Sequence, residues 1–278
     1  MTSAETAMDV ARDYYNSSDA DRFYASVWGG EDIHVGMYDP PSLSISEASH
    51  RTVLHLSHRL GAIDSSSRVL DIGSGYGGAA RHLATTYGCH VTCLNLSEVE
   101  NERNRHLTSS AGLSEKIDVV DGNFESIPCD DATFDVVWSQ DAILHSGDRQ
   151  RVFHEVDRVL RPSGRFVMTD PMQSDNCPDG VLQPILDRLH LGDLSAPRVY
   201  LGYAKDLQWN DLGYESLDEC LVRHYSSVLA KTQRVEEQLK EGISPDYLER
   251  MKRGLQYWID GGTAGHLAWG VFLFEKKP

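Results

Sequence analysis

Asp71 stands two residues before Gly73 in the run Val69-Leu-Asp-Ile-Gly-Ser-Gly-Tyr-Gly-Gly78. The run reads as a short buried strand ending in an acid, a glycine-rich turn, and a helix start at Ala79-Ala-Arg-His-Leu83. Gly73, Gly75 and Gly78 fit the G-x-G-x-x-G spacing of nucleoside-cofactor turns. Glycine serves there because no β-carbon blocks the ligand and positive φ is free. The acid discriminates among cofactors. A carboxylate sits badly beside a pyrophosphate, which would occupy the helix N-terminus. It suits a ligand with a cationic tail. S-adenosylmethionine carries an ammonium and a sulfonium and no phosphate. A nicotinamide or flavin ligand, or a tight turn holding nothing, are the alternatives.

The elements around the turn must place these residues at one edge of a sheet. Cys89-His-Val-Thr-Cys-Leu-Asn95 alternates and is rich in strand formers. It ends where a ribose-binding acid is expected, about twenty residues past the turn. Asn95 stands there instead; its amide can serve two ribose hydroxyls, or it can simply end the strand. Lys116 to Phe124 reads as a third strand and its loop, and Phe134-Asp-Val-Val-Trp138 as a fourth. Apolar residues at Val152, Val156, Val159 and Leu160 predict a helix over Arg151–Leu160. Arg161-Pro-Ser-Gly164 would stop it, and Gly164–Asp170 reads as a fifth strand. Alternating strands and helices predict an α/β fold with a parallel sheet and crossover helices.

Three parts are expected: a helical cap over 1–64, a cofactor-binding half over 65–170, and a cap insertion with the rest of the sheet over 171–278. The cap holds predicted helices at Ala4–Tyr15 and Ser46–Leu60. The last part holds a short helix at Val181–His190, a sixth strand near Glu219–His224, helices at 226–241 and 245–260, and a final strand His266–Glu275. Cap elements lying over the carboxyl edge of the sheet would exclude water from the chemistry.

The formal charge is 26 − 42 = −16. Such a surface opposes nucleic acid and anionic lipid and fits a salty cytoplasm. No run is as long and apolar as a membrane span, and residues 1–8 lack the pattern of a secretory signal, so a cytoplasmic enzyme is expected. The five cysteines contain no C-x-x-C and read as reduced packing residues. His55 and His58 have helical spacing but no evident third ligand, so no metal is expected. Nothing in the sequence sets the oligomeric state.

The run Asp71-Ile-Gly-Ser-Gly-Tyr-Gly77 resembles the first motif of class I S-adenosylmethionine-dependent methyltransferases. A more specific resemblance covers nearly the whole chain. Trp28-Gly-Gly-Glu-Asp-Ile-His34, Leu94-Asn-Leu-Ser97, Trp138-Ser-Gln-Asp-Ala-Ile-Leu-His-Ser146, Thr169-Asp-Pro-Met172, Gln183-Pro-Ile-Leu-Asp-Arg188, Met251-Lys-Arg-Gly-Leu255 and Trp258-Ile-Asp-Gly-Gly262 are similar to sarcosine/dimethylglycine N-methyltransferases, which make glycine betaine. The resemblance implies a Rossmann-like, mostly parallel seven-stranded sheet with helices on both faces and a helical cap. It implies S-adenosylmethionine held by Asp71, Gly73, Ser74, Gly75, Asn95, Leu96, Asn123, Phe124 and Gln140. Asn123 would meet the adenine edge and Phe124 its face. Asp141 and His145 also resemble residues beside the amine in phosphoethanolamine methyltransferases, but no basic cluster is present to hold a phosphate.

Transfer to nitrogen requires a neutral amine. His145 is the candidate general base, since an ordinary imidazole titrates near working pH. Asp141 could orient it or take the proton; a helix-positioning role for His145 is the alternative. Arg188 is the first candidate for the substrate carboxylate, ahead of Arg22 and Arg198. Tyr15, Tyr24, Tyr200 and Tyr225 are candidate hydroxyl donors. A quaternary ammonium product calls for aromatic faces, available at Trp28, Trp138, Trp258 and Trp269. The rival readings are another small amine or a phosphobase as acceptor, and a catalytically silent cofactor-binding module.

Overall fold

A computed structural model describes Arg12 and residues 16–28, 30–61 and 63–278. The helix expected over Ala4–Tyr15, and with it Tyr15, lies outside the described residues apart from Arg12.

The sheet holds β1 (Arg68–Ile72), β2 (His90–Asn95), β3 (Ile117–Asp121), β4 (Phe134–Gln140), β5 (Leu160–Gln173), β6 (Asn210–Ser216) and β7 (Leu267–Glu275). Their order is β3-β2-β1-β4-β5-β7-β6. The first five run parallel, and β7 is antiparallel to both neighbours. The order reverses at β1, so the crevice past the carboxyl ends of β1 and β4 is the place for a ligand. Asp71 and Gln140 lie at those ends.

The helices are α1 (Ser18–Phe23), α2 (Ile45–Leu60), α3 (Gly78–Tyr87), α4 (Glu98–Ser110), α5 (Arg149–Val159), α6 (Gln183–Leu189), α7 (Pro197–Asp206), α8 (Asp218–Arg234), α9 (Glu236–Leu239) and α10 (Pro245–Thr263). A π-helical turn, Tyr24–Trp28, continues α1. Ser44 and Glu47 close a reciprocal capping box at the start of α2, which satisfies two otherwise orphaned amides. β4 buries nearly every residue, as a strand covered on both faces must. Leu70, Ile72 and Val137 pack with α5 and α7, whereas Val69, Val91 and Trp138 pack with α2 and α3. Phe23, Val27 and Trp28 meet Val228, Leu248, Met251 and Leu255 in a separate core, which ties α1 to α8 and α10.

Several boundaries differ from expectation. The segment Glu219–His224 is the first part of α8 and not a strand. Its buried residues Leu221, His224, Val228 and Thr232 recur at helical spacing. The sixth strand is Asn210–Ser216, an edge strand paired only with β7; its polar composition hides it. α7 was not expected, although Pro197 at its first turn is a helix-start signal. Arg161-Pro-Ser-Gly164 lies within β5, at a break in its register with β4.

Candidate active site

Two cavities share one wall. The larger, of about 940 Å³, lies over the carboxyl ends of β1, β2 and β4 and is lined by Asp71, Gly73, Ser74, Gly75, Asn95, Leu96, Asn123, Phe124 and Gln140. Every cofactor residue expected from the sequence is therefore in one place. The second, of about 620 Å³, lies under the cap and is lined by Tyr24, Trp28, Arg188, Tyr225, Met251 and Trp258 among others. Ile33, His34, Asp141 and His145 line both. Those four side chains form the junction.

The glycine turn is built for close approach. Gly73 has φ +74, and a β-carbon there would collide with Ala142 at the end of β4. Its N–H donates to the carbonyl of Leu94 at 2.8 Å, which locks the turn onto β2. Ser74 Oγ and Gln140 Nε2 are buried without a partner among the described residues, so the cavity presents polar atoms that a bound ligand could satisfy.

Acids dominate this cavity. Asp71 is buried, and its carboxyl is pushed up to about 7 by burial and by the charge of nearby Asp32, against the pull of Arg81. A cationic ligand tail would relieve that penalty. Glu100, missed in the sequence, also lines the cavity and is pushed up to about 7, mainly by burial. It accepts from Asn95 Nδ2 at 2.9 Å, so the amide and the acid stand together where a ribose is expected. The signal was present: Glu100 follows the cap residue Ser97 by three positions, on the first turn of the helix after β2. A diphosphate would meet Glu31, Asp32, Asp71 and Glu100 here, against Arg12 as the one arginine or lysine among the described lining residues. The donor set fits an S-adenosyl group and not a dinucleotide.

At the junction, Asp141 has φ +52. Its Oδ1 accepts from Thr169 Oγ1 at 2.7 Å and Trp269 Nε1 at 2.8 Å, and its Oδ2 from the Val35 amide at 2.7 Å. These donors hold the carboxylate in place, while burial raises its proton affinity. His145 departs from the expected base with an ordinary pKa. Burial, then Arg149 and Arg188, push it down to about 4, so it is a neutral imidazole near pH 7.

Arg188 reaches the second cavity because Gly254 of α10 leaves room; a β-carbon there would overlap the guanidinium. Its Nη2 lies 2.8 Å from Met251 Sδ. Among the described residues no carboxylate pairs with Arg188, in a chain with 42 acids. Around it stand Tyr24 and Trp28, with ring centroids 5.0 Å apart, and Tyr225 stacked on Trp258 at 5.2 Å.

Other candidates are elsewhere. Tyr200 is a correction: it is fully buried in the core, stacked on Phe153, with its hydroxyl donating to Asp170 at 2.5 Å. Arg22 donates to the Gly242 carbonyl and Arg198 to the Asp175 carbonyl; neither lines either of these two cavities. Trp138 belongs to the core under the sheet, with its indole N–H on Gln140. Trp269 serves Asp141. No group of side chains suited to a metal occurs among the described residues.

Residues 70–168 match the family described as Methyltransferase domain. The chain is 50% identical over 272 residues to sarcosine/dimethylglycine N-methyltransferase of Halorhodospira halochloris, covering 98% of each chain. It is 47% identical to the enzyme of the same name from Aphanothece halophytica, covering 99% of this chain and 100% of that one. The chain belongs to the sarcosine/dimethylglycine N-methyltransferase family. A crystal structure from Galdieria sulphuraria, assigned as a sarcosine dimethylglycine methyltransferase, superposes on this methyltransferase with a TM-score of 0.90 and 45% identity, covering 95% of this chain and 99% of that one. Among the described residues, no helix of the methyltransferase is long and apolar enough to cross a membrane.

Proposed function

We propose that this chain methylates the amine of sarcosine and N,N-dimethylglycine with S-adenosylmethionine, giving glycine betaine, in the cytoplasm. The observation that carries the reading is the Arg188 guanidinium, without a carboxylate partner among the described residues, in an aromatic cavity that shares its wall with the acidic cofactor cavity. A small amino acid is the ligand that needs a guanidinium at one end and aromatic faces at the other. The names of the relatives point the same way.

S-adenosylmethionine, when bound, supplies an electrophilic methyl group on sulfur. The chain's residues do the rest. Asp71 faces the cationic tail, Asn95 and Glu100 take the ribose, and Asn123 and Phe124 take the base. Arg188 holds the substrate carboxylate. Trp28, Tyr24, Tyr225 and Trp258 enclose the methylated nitrogen and exclude water. His145, a neutral imidazole, lines the junction and positions the substrate there; Asp141 fixes the Val35 segment against the sheet. Holding nucleophile and electrophile in line is worth roughly 7–11 kcal/mol. A phosphobase acceptor is disfavoured because, among the described residues, each cavity is lined by a single arginine and no lysine.

Supplying labelled S-adenosylmethionine with glycine, sarcosine or dimethylglycine in turn tests the reading. Label should appear in dimethylglycine and betaine. No transfer to any of the three removes it. Cofactor binding with no transfer to a broad amine panel would favour a silent module.

A further inference from the structure

A protonated amine must lose its N–H before the nitrogen can accept a methyl group, and that proton must leave a buried site on every turnover. His145 is poorly placed to hold it, because Arg149 and Arg188 both oppose positive charge there. Asp141 is fastened by a backbone amide, a threonine hydroxyl and an indole, all interior to the fold.

His34 is different. Its Nδ1 lies 3.1 Å from the Val35 carbonyl, so that nitrogen carries the hydrogen and Nε2 carries the lone pair. Nε2 is buried with no hydrogen-bond partner among the described residues, and the ring lines both cavities. The carboxylates of Asp32 and Asp141 face it. His224 is a further ionisable neighbour, which burial keeps neutral.

A path leads outward from His34. Its Nε2 is 4.0 Å from Asp32 Oδ1, another buried atom without a partner among the described residues. The gap is about 1 Å longer than a hydrogen bond, within reach of a turn of the imidazole. Asp32 Oδ2 meets His50 Nδ1 at 3.0 Å, and the His50 side chain is 46% exposed. Gly78 leaves the space that the Asp32 carboxylate occupies. Asp32 also faces Arg81 and Asp71. His50 also faces Glu31 and the ring of His82.

We propose that His34 accepts the amine proton and that Asp32 and His50 conduct it to solvent. The inference rests on the amine-methylation reading above. The ammonium N–H bond breaks, its electron pair stays on nitrogen, and the proton goes to His34 Nε2. Asp32 takes that proton on Oδ1; the exposed His50 ring exchanges its hydrogen from Nδ1 to Nε2 through water, which frees Nδ1 to accept the proton as the Asp32 carboxyl turns. His50 then releases the hydrogen of Nε2 to water.

The test uses the full-length wild type with His50→Gln, His34→Gln and Asp32→Asn. It measures dimethylglycine turnover, cofactor affinity by calorimetry, and the His50 titration by NMR in the ligand-free protein. His50 lines neither cavity, so its replacement should leave cofactor affinity intact. It should lower kcat about tenfold in dilute buffer, with recovery in added imidazole. His34→Gln should lower kcat about 10²-fold. Asp32→Asn should lower the His50 titration midpoint. Wild-type kcat and pH profile in His50→Gln overturn the relay while leaving methyl transfer intact; so does an unmoved His50 midpoint. If His34→Gln fails only by losing cofactor while His50→Gln is normal, His34 is a binding residue and the relay is overturned. A wild type inactive on every glycine derivative removes both readings.

Discussion

The backbone amide of Val35 donates to Asp141 Oδ2 at 2.7 Å. One hydrogen bond thus joins the loop before α2 to the end of β4, and both cavities meet there. The loop is held from its other side as well, since Trp28 Nε1 and Ser49 Oγ donate to the His34 carbonyl at 3.2 and 2.9 Å. The cap is therefore part of the cofactor cavity and more than a lid above it.

Cofactor binding should be linked to protons through Asp71. In the free protein its carboxyl sits at about 7; a cationic tail favours the ionised form. Below that pH, binding should release protons, and affinity should climb with pH and level off above about 7. Calorimetry in buffers of different ionisation enthalpy measures the release. Asp71→Asn should abolish it and weaken binding.

The same shift sets a stability trend in the free protein. Asp71 and Glu100 keep their protons to about 7 when folded, whereas in the unfolded chain they ionise near 4. The native state binds more protons in between, so stability should fall as pH rises from about 4 to about 7. Urea titrations across that window, with Glu100→Gln as control, should show the decline reduced in the variant.

Arg188→Ala should raise KM for dimethylglycine. A hydrogen bond to a charged group is worth about 1.5–3 kcal/mol, or a factor of about 10–100. Cofactor affinity should stay within about twofold, because Arg188 lines only the second cavity. An unchanged KM would place the carboxylate elsewhere.

His145→Ala should lower kcat by up to about 10²-fold through misplacement of the amine. With its imidazole already neutral above pH 5, the shape of the kcat profile from pH 6 to 9 should not change. Loss of an ionisation in that range would restore His145 as the base.

Gly73→Ala tests the turn. Its positive φ and the collision with Ala142 should destabilise the fold by about 2 kcal/mol or more, seen as a lower midpoint in urea.

The cofactor half was legible because its determinants are local. Asp71 and the glycines fall in one short run, Asn95 and Gln140 end strands with clear apolar patterns, and Asn123 lies two residues past a third. Glu100 was overlooked because an acid at the start of a helix usually faces solvent. Asp32 and His34 gave no local sign of the role proposed for them, which depends on a loop folding back over the start of α3. Tyr200 was expected among the hydroxyl donors to the substrate; its partner Asp170 is thirty positions away. Strand β6 was hidden because an edge strand need not alternate, and the start of α8 was mistaken for it.

The insertion of β7 between β5 and β6 has a consequence for the order of synthesis. A chain leaving the ribosome holds β1 to β5 long before Leu267–Glu275 emerges, and until then β6 has no strand to join. Trp269, which fastens Asp141, arrives with that same strand. Methyl-transfer competence should therefore appear only once β7 has emerged and paired, and chains released before that point should carry the cofactor cleft with its junction unfinished.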